Sequence, residues 1–381
     1  MHQKAKLEKI VCVSVTNDLA TDQRVLKVCD FLHRNGYAVT LIGRRKTDSL
    51  PFNPSHINAK RFGMLFRRSF LFYAEYNLKL FFYLLFRKTD LLVSNDLDTL
   101  LPNYLISILR RKPLVYDAHE YFLGSTEIVN RPLVRKVWAG IERMIFPRLK
   151  HVITVNGSIA DLYHEQYGIR PRVVRNVPPR LQVQQKLKRS DLGWPDDKKI
   201  VLMQGGGINV HRGAEELIMA FQPQYGLKNV LLCFIGGGDV WEKIRQQVQE
   251  LELTDVVHFM EKMPYDKLMQ YTALADIGVS LDKPVSLNYQ YSLPNKVFDY
   301  ISAGVPVLAS SLLEVKKIVE EYQVGLCVNS HEPAHIANRI AYMLEDPARY
   351  KHWKNRTIDA SKELCWENEE KVLSEVYRPF I

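Results

Sequence analysis

The chain has 381 residues, of which 46% are hydrophobic and 25% are charged. This length exceeds one ordinary hydrophobic core and fits two domains, and the composition excludes a disordered chain. A formal net charge of +10 indicates an anionic partner, either a phosphorylated ligand, an anionic membrane surface or nucleic acid. We expect no nucleic acid as a partner, because no recognition motif accompanies the charge.

The cysteines and the first residues bear on the compartment. The five cysteines are Cys12, Cys29, Cys233, Cys327 and Cys365. They are far apart and form no CxxC pair, which argues for a reducing compartment and against disulfides or a zinc cluster. The opening stretch, MHQKAKLEKIVCVSV, lacks the apolar region and small-residue cleavage site of a signal peptide. We therefore expect a cytoplasmic protein.

In the first half of the chain, short runs rich in Val and Ile alternate with segments of helical period. The expected strands are KIVCVSV, AVTLIG, LLVSN, PLVYDAH and HVITVN. Segments such as TDQRVLKVCDFLHRNG and TLLPNYLISILRR lie between them. This alternation predicts an α/β domain, with helices on both faces of a parallel sheet. The pattern stops at VVRNVPPRL, so we expect a first domain over residues 1–178, followed by the polar linker QVQQKLKRSDLGWPDDKK.

Residues 66–88, FRRSFLFYAEYNLKLFFYLLFRK, form an aromatic segment between cationic ends. Its uninterrupted apolar run, Leu80–Phe86, is far shorter than the roughly 20 residues that a membrane-spanning helix needs. The flanking cations are Arg67, Arg68, Arg87 and Lys88. Two interpretations stay open. The segment is a helix in the headgroup layer of an anionic membrane, at its inner face, or a buried helix packed on a sheet.

The second half of the chain restarts the alternation. Its expected strands are KIVLMQGGG, NVLLCFIGGG, VVHFM, DIGVSL, VPVLAS and GLCV. We expect a second domain over residues 179–357, and we expect the helices from about 358 to 381 to pack back on the first domain. Two doubly wound, Rossmann-like domains in series predict a cleft between facing strand ends.

The first strand of the second domain runs into a glycine-rich turn, in VLMQGGGINVHRGAEELIMAF. Gly205, Gly206 and Gly207 permit close backbone approach, the following helix start presents free N–H groups, and Arg212 is suited to binding phosphate. The turn after the next strand, FIGGGDV with Gly237, repeats the arrangement. These features indicate an anion site, although a plain tight turn is the alternative for each.

A short helix is predicted within LPNKVFDYISAGVPV. Asn295 is the expected N-cap, Lys296 falls in the first turn, and Gly304 ends the helix in the left-handed conformation. A lysine at a helix N-terminus is unfavourable unless an anion offsets it. A phosphate would supply that anion, and Asp299, one turn on, would accept hydrogen bonds from ribose hydroxyls. The alternative is a surface Lys296–Asp299 ion pair of small energy.

Together, GGGINVHRG and LPNKVFDYISAGVPVLAS resemble the retaining glycosyltransferases of family 4, which have the GT-B fold. Looser similarity is found at NDLATDQRVLK, NDLDTLLP and YDAHE. The resemblance implies a nucleotide-sugar donor bound by the C-terminal domain and a glycan or lipid-linked acceptor bound by the N-terminal domain. It also implies sugar transfer with retention and without a metal or other cofactor. The expected setting is the synthesis of a cell-surface polysaccharide or lipopolysaccharide.

The resemblance also assigns roles to residues. It implies that Arg212 and Lys296 hold the diphosphate and that Asp299 binds the ribose. His119, in YDAHE, would lie beside the transferred sugar and the leaving group. The other donor-binding residues it implies are Gly205, Gly206, Gly207, Gly237 and Asn295, while Met260 to Pro264 would supply backbone contacts to the base. We expect no protein nucleophile.

Four residues are expected on the acceptor side. Asn17, Asp18 and Arg24 belong to the first strand-to-helix connection, where Asp22 favours the helix start, and Asp96 follows a later strand. The DLD sequence from Asp96 to Asp98 resembles a metal-binding DxD motif, but two acids at this position also suit a helix cap. The histidines show no HExxH or clustered spacing, so we expect no metal.

Two positions depart from the family pattern. Tyr291 stands where the family has a glutamate that contacts the donor sugar, a role that Asn288, Tyr289 or Ser292 would have to take. Glycines stand where an early arginine is common in the phosphate loop. Two alternatives therefore stay open. One is a nucleotide-sugar epimerase or phosphorylase of the same fold, although no pair of carboxylates is placed for epimerisation. The other is a non-catalytic protein that kept the fold.

Overall fold

The computed structural model of the protein describes residues 9–20, 22–47, 49, 51–67, 69–180 and 187–381. Two compact units are present: Met1–Arg175 with Glu370–Ile381, and Asn176–Glu369. Arg68, in the expected aromatic helix, and the first part of the expected linker, up to residue 186, lie outside the described residues. The rest of that linker is folded rather than extended in solvent, because it contains a 3-10 turn at Arg189–Leu192 and a buried Trp194.

The first unit is built on a seven-stranded sheet in the order β3-β2-β1-β4-β5-β6-β7. The strands are β1 (Lys9–Ser14), β2 (Tyr37–Arg44), β3 (Ile57–Phe62), β4 (Leu91–Asn95), β5 (Leu114–Ala118), β6 (His151–Thr154) and β7 (Arg172–Val173). All neighbouring strands pair in parallel, with Val11 opposite Leu91 and Ser14 opposite Ser94 between β1 and β4. The winding direction reverses between β1 and β4, and ligands of such sheets bind at the strand ends beside this reversal.

Helices cover this sheet. They are α1 (Gln23–Arg34), α2 (Ser69–Phe86), α3 (Leu97–Leu109), α4 (Thr126–Val129), α5 (Pro132–Ile145) and α6 (Gly157–Tyr167), with 3-10 turns at Phe122–Gly124 and Phe146–Arg148. The expected role of Asp22 is confirmed, because its carboxylate accepts a hydrogen bond from the Val25 backbone N–H at 3.2 Å. This bond satisfies a donor that the first turn of a helix otherwise leaves unpaired.

Helix α2 corresponds to the aromatic segment, and it packs through one face only. Phe72, Tyr76, Leu80 and Leu84 are buried, while other large apolar side chains of the same helix stay exposed. No helix in the described ranges is both long enough and apolar enough to cross a bilayer. The buried-helix interpretation therefore describes one side of α2, while the other side is exposed in the part of the chain that the structure describes.

The second unit repeats the plan with a six-stranded parallel sheet in the order β10-β9-β8-β11-β12-β13. Its strands are β8 (Lys199–Gly205), β9 (Val230–Gly236), β10 (Val257–Glu261), β11 (Ile277–Ser280), β12 (Val307–Ser310) and β13 (Gly325–Val328). Its helices are α7 (Ala214–Met219), α8 (Trp241–Glu250), α9 (Tyr265–Thr272), α10 (Leu287–Gln290), α11 (Asn295–Ser302), α12 (Leu313–Tyr322), α13 (Pro333–Glu345) and α14 (Pro347–Glu363), with a 3-10 turn at Pro223–Tyr225. Here the winding reverses between β8 and β11.

Alternate residues of the second sheet enter two different cores. Val201 and Met203 pack into one cluster, and Ile200 and Leu202 pack into another on the opposite face. Successive side chains of a strand point to opposite faces, so a sheet covered by helices on both sides needs apolar residues at nearly every position. The predicted α/β class with two doubly wound units is confirmed.

The chain returns to the first unit later than expected. Helix α14 stays with the second unit, because its Trp353 and Ala360 are buried in the two cores there. The last helix, α15 (Trp366–Tyr377), begins in the second unit, and the first unit resumes at Glu370. In the first unit the Tyr377 ring lies 5.8 Å from that of Phe31. The return therefore starts near residue 370 rather than 358.

Candidate functional site

Two glycine turns lie together at the ends of β8 and β9. The Ile208 N–H donates to the Gly237 carbonyl at 2.8 Å, and the Gly237 N–H donates to the Gly205 carbonyl at 3.2 Å. Gly236 has a φ of +143°, and a Cβ there would lie 1.9 Å from the Gly205 carbonyl oxygen. Only glycine fits this approach. Gly206 and Gly207 are exposed at the outside of the turn, whereas Gly237 uses its backbone groups to join the two turns.

Arg212 and Lys296 meet at one carboxylate, that of Asp282, which follows β11 and is 0% exposed. The Arg212 Nη1 donates to Asp282 Oδ1 at 2.8 Å, and the Lys296 Nζ lies 3.9 Å from Asp282 Oδ2. The Ser280 hydroxyl also donates to Oδ2, at 3.3 Å. The Arg212 guanidinium lies 4.9 Å from the centre of the Tyr289 ring. Two cations thus share one buried anion beside the winding reversal of the second sheet.

The sequence predicted Arg212 and Lys296 as partners but missed Asp282. A signal for it was present, because Asp282 stands directly after the apolar strand DIGVSL, at a strand end where ligand-binding groups collect.

Lys296 lies in the first turn of α11, and its side chain is 12% exposed. Burial lowers the pKa of Lys296, and the nearby Asp282 carboxylate opposes that shift. The N-cap of α11 is Pro294, and no side chain caps the helix, so the predicted cap role of Asn295 is wrong. Asn295 is already the first helical residue, which removes the extended backbone that a cap requires. Gly304 has the expected left-handed φ, +73°.

Asp299 is held by two donors of its own unit. The Tyr265 hydroxyl donates to Asp299 Oδ1 at 2.7 Å, and Gln204 Nε2 donates to Oδ2 at 3.3 Å. Burial and the Asp299 carboxylate raise the pKa of Tyr265, so this phenol remains a donor. Lys296 is largely buried and faces Asp282, so the alternative of a surface Lys296–Asp299 pair does not describe the arrangement.

The residues expected to replace the family glutamate lie in or just after the short helix α10: Asn288 and Tyr289 belong to it, and Ser292 follows it. The Ser286 hydroxyl oxygen accepts from the Tyr289 N–H at 3.3 Å, and the Ser292 hydroxyl donates to the Tyr289 carbonyl at 2.8 Å. Tyr291 ends this helix. Tyr289 is therefore fixed from both sides beneath the Arg212 guanidinium.

The first unit has a cavity of about 500 Å³ at the strand ends beside its own winding reversal. Asn17, after β1, and Asp96, after β4, which were expected on the acceptor side, both line this polar cavity. Charged residues and aliphatic hydroxyls that the sequence did not assign to it are Thr16, Arg44, Arg67, Ser69, Asp98, Glu120, Ser125 and Arg131.

Asp18 and Arg24, also expected on the acceptor side, have internal roles instead. Arg24 is 2% exposed, and its guanidinium donates from Nη2 and Nε to the Asp117 carboxylate and from Nη1 to the Val174 carbonyl at 2.6 Å. Asp18 accepts from the Ala20 N–H at 3.0 Å and pairs with Arg61 at 3.1 Å. Their charges are neutralised within the fold, and neither lines the polar cavity.

His119 is enclosed by carboxylates. Its backbone N–H donates to Asp96 Oδ1 at 2.8 Å, its Nδ1 lies 3.5 Å from Asp96 Oδ2, and its Nε2 lies 3.7 Å from Asp117 Oδ2 and 3.1 Å from Asn95 Oδ1. Burial alone would lower the pKa of His119, but the carboxylates of Asp96 and Asp117 raise it to about 9. The side chain is thus a partly exposed imidazolium near neutral pH.

The DLD segment does not cap a helix through its first acid. Asp96 occupies the N-cap position of α3 with a φ of +58°, but its side chain makes no cap hydrogen bond. Its carboxylate faces His119 instead. Burial and the neighbouring Asp96 raise the pKa of Asp98 to about 8, and the Thr16 hydroxyl donates to it. Within the described residues, no group of three or more His, Cys, Asp or Glu is suited to hold a metal ion.

Sequence profiles of two glycosyltransferase families match most of the chain. "Glycosyltransferase Family 4" matches residues 22–179, and "Glycosyl transferases group 1" matches residues 184–360. Their boundary falls close to the division between the two units. The chain therefore belongs to glycosyltransferase family 4.

Individual relatives are more distant. The chain is 25% identical over 231 residues to a D-inositol 3-phosphate glycosyltransferase of Acidothermus cellulolyticus, covering 56% of this chain and 49% of that protein. It is 31% identical over 150 residues to the chitobiosyldiphosphodolichol beta-mannosyltransferase of Kluyveromyces lactis, covering 38% and 32%. The chain thus spans about half the length, or less, of these curated relatives.

Among solved structures, HepE from Anabaena, in complex with UDP, superposes with a TM-score of 0.76 at 17% identity. The match covers 98% of this chain and 100% of that one. This likeness shows the fold, and the predicted GT-B architecture is confirmed.

Proposed function

We propose that the protein is a glycosyltransferase that moves a sugar from a nucleotide-sugar donor to a glycan or lipid-linked acceptor. We further propose that transfer occurs with retention and without a metal, in the synthesis of a cell-surface polysaccharide or lipopolysaccharide at the inner membrane face. The observation that carries the proposal is the position of Arg212 and Lys296 on either side of the buried Asp282.

Two cations around one carboxylate leave a positive charge that suits the diphosphate of a nucleotide sugar. When the bond between the anomeric carbon and the phosphate oxygen breaks, negative charge develops on the departing diphosphate. Fixed cations stabilise that charge most where water is excluded, and Lys296 is largely buried. The exposed turn at Gly206 and Gly207 precedes Arg212 in the same strand-to-helix connection, and we propose that it offers backbone N–H groups to the same anion.

Asp299 is proposed to bind the ribose. Tyr265 and Gln204 each donate a hydrogen bond to its carboxylate and so fix its orientation. An ionised carboxylate is an acceptor only, and its two oxygens suit the two vicinal hydroxyls of a ribose. The UDP that occupies HepE supports a nucleotide as the ligand of this fold.

In the first unit, we propose that His119 donates a hydrogen bond to the transferred sugar or to the leaving group. The imidazolium state, which Asp96 and Asp117 favour, makes His119 a donor rather than a base. In the retaining reaction, the acceptor oxygen bonds to the anomeric carbon from the leaving-group face. Its proton passes to the departing phosphate oxygen, so no protein nucleophile is needed.

Relatives support a phosphorylated acceptor. One relative is named for D-inositol 3-phosphate and the other for a diphosphodolichol. Both names describe acceptors with an anionic group, and this chain has a formal net charge of +10.

The test is a panel of UDP-, GDP- and CMP-sugars, with thermal stabilisation as the first measurement. One donor class should raise the melting temperature of the wild-type protein but not of Lys296→Ala. The matched control is Lys317→Ala, which removes an exposed lysine of the same unit that pairs with Glu314, three residues before it. If no nucleotide raises the melting temperature, the proposed function is wrong. Conversion of the nucleotide sugar into its epimer when no acceptor is present would instead indicate an epimerase.

The non-catalytic alternative rests on Tyr291. It predicts that a nucleotide sugar binds and is never consumed, whatever acceptor is added. Consumption of the donor upon addition of a lipid or glycan acceptor, together with its loss in Asp299→Ala, would exclude that alternative.

A further inference from the structure

We propose that the acceptor is an amphiphile with a phosphate group, and that its hydrocarbon chain lies in an apolar groove of the first unit formed by α2, α3 and α5. This inference rests on the proposed function and names the acceptor class. The groove has a volume of about 500 Å³. Its walls include Phe70, Leu78, Phe81, Leu105, Val137 and Trp138.

The groove is apolar throughout its described lining, apart from one amide and one phenol. That amide, of Asn77, is used within the fold, since its Nδ2 donates to the Tyr73 and Asp98 carbonyls at 2.8 Å each. Four large side chains at the rim are exposed to solvent: Phe70 by 61%, Leu78 by 60%, Leu105 by 43% and Val137 by 49%. A concentration of exposed apolar surface around one groove marks a binding site for an apolar ligand.

The apolar groove adjoins the polar cavity that contains Asn17 and Asp96, since the two share part of their lining. Phe70, Tyr73, Val134 and Trp138 line both spaces. Trp138 stands at the junction, with its ring 5.3 Å from the rings of both Tyr73 and Phe122. A ligand with an apolar and a polar part can therefore occupy both spaces at once.

Arginines surround the polar cavity and extend beyond it. Arg44, Arg67 and Arg131 line it. Arg44 and Arg67 also line a neighbouring space of about 540 Å³ together with Arg45 and Lys46. The Arg44 guanidinium lies 4.7 Å from the centre of the Phe72 ring, and its Nε is buried without a hydrogen-bond partner in the described structure. An unpaired buried donor of this kind is costly, and a phosphate would satisfy it.

The combination of surfaces thus matches one kind of molecule. The apolar groove adjoins a cavity whose lining includes three arginines and also Asn17, Asp96 and Asp98, whose side chains suit sugar hydroxyls. This combination fits a hydrocarbon chain, a phosphate or diphosphate, and a polyol. A flat bilayer surface would need no enclosed groove, and a free glycan would need no apolar wall.

The molecule contains a fluorescent reporter for this test. Trp138 is the one tryptophan of the first unit, because Trp194, Trp241, Trp353 and Trp366 all belong to the second. The probe is 11-bromoundecyl phosphate below its aggregation threshold, since bromine quenches tryptophan on contact. We expect saturable quenching, and undecyl phosphate should displace the brominated probe.

Variants separate the two parts of the site. Leu78→Asp and Val137→Asp place a charge at the exposed rim of the groove and should weaken probe binding at least tenfold. The control, Ile358→Asp, changes a side chain of similar exposure in the second unit and should leave binding unchanged. Arg44→Gln should weaken binding of 11-bromoundecyl phosphate but not of 11-bromo-1-undecanol.

Two outcomes with the soluble probe would overturn the inference: no quenching in the wild-type protein, or quenching in both rim variants that equals that of the wild type. Quenching only with brominated anionic vesicles would also overturn it, because it would assign this face to a bilayer. All variants should keep the nucleotide-induced rise in melting temperature. Absence of probe binding in the wild-type protein, with that rise retained, refutes this inference alone, whereas absence of the rise in the wild-type protein refutes the proposed function.

Discussion

Arg212 and Lys296 approach opposite oxygens of the Asp282 carboxylate, at 2.8 and 3.9 Å. Without a ligand, Asp282 offsets both cations, which would otherwise repel each other in a partly buried site. With an anionic ligand, the same cations gain a second partner. We therefore infer that Asp282 positions both cations for the proposed diphosphate.

Asp282→Asn should destabilise the free protein and enlarge the response to nucleotide. Removing one partner of a buried ion pair costs about 3 kcal/mol or more, and a bound diphosphate would relieve part of the resulting repulsion. Melting curves with and without the nucleotide found in the panel test this. Asp359→Asn, which removes an exposed carboxylate paired with Lys362, is the control. An unchanged nucleotide-induced shift in Asp282→Asn would contradict the assigned role.

The ribose role of Asp299 predicts a dependence on the ligand hydroxyls. The wild-type protein should bind the 2′,3′-dideoxy nucleotide more weakly than the parent nucleotide, by about 1–3 kcal/mol, because hydrogen bonds to a carboxylate are lost. In Asp299→Ala the two ligands should bind with similar affinity, as calorimetry can determine. Tyr265→Phe removes one donor to Asp299. Its preference for the parent nucleotide over the dideoxy nucleotide should lie between that of the wild type and that of Asp299→Ala. A full preference for the parent nucleotide in Asp299→Ala would refute the contact.

Gly236→Ala should prevent stable folding of the second unit. Its Cβ would lie 1.9 Å from a backbone oxygen, so one of the two turns would have to move, at a cost of several kcal/mol, on the order of 4. Gly206→Ala is the matched control, because a Cβ at that neighbouring turn meets nothing within 4 Å. Soluble yield and urea unfolding compare the two. Equal stability of both variants would be inconsistent with the packed turns.

The stability of the first unit should fall with rising pH through His119. Its folded pKa of about 9 is above the unfolded value of roughly 6.5, so the folded state keeps a proton that the unfolded state releases. The stabilisation is complete below pH 6.5 and is lost as the pH rises through 9, by on the order of 3 kcal/mol.

Urea unfolding at pH 6.5 and 9 measures this difference. In His119→Gln the difference should shrink, while His352→Gln, at an exposed position of the second unit, should behave as the wild type. An identical pH dependence in His119→Gln would show that the imidazolium is not stabilised by its carboxylates.

The sequence could predict features that depend on local spacing. The strand–helix alternation identified two doubly wound units, and the GGG and PNK segments brought Arg212 and Lys296 into one site. It missed contacts between distant residues: Asp282 lies 70 residues from Arg212, and Asp117 lies 93 residues from Arg24. No spacing rule connects such pairs, so Arg24 was expected at a ligand although it is buried in an ion pair.

Edge positions were also hard to predict. Strand β3, INAKRF, was not among the expected strands because it alternates polar and apolar residues at the sheet edge, without the apolar run of the central strands. The cavity arginines were missed for a related reason. Arg44 ends β2 and Arg131 precedes α5, and only the folded sheet brings them to one space.

Asp96 keeps a backbone conformation, φ +58° and ψ 168°, that glycine adopts far more easily than a residue with a Cβ. A laboratory screen that rewards heat resistance alone should therefore select replacements at residue 96, and the winners should lose the carboxylate that keeps His119 charged. A screen that rewards turnover should restore the aspartate. Selection for heat resistance and selection for turnover would then favour different residues at position 96, which would show that thermal stability and activity conflict at this strand end.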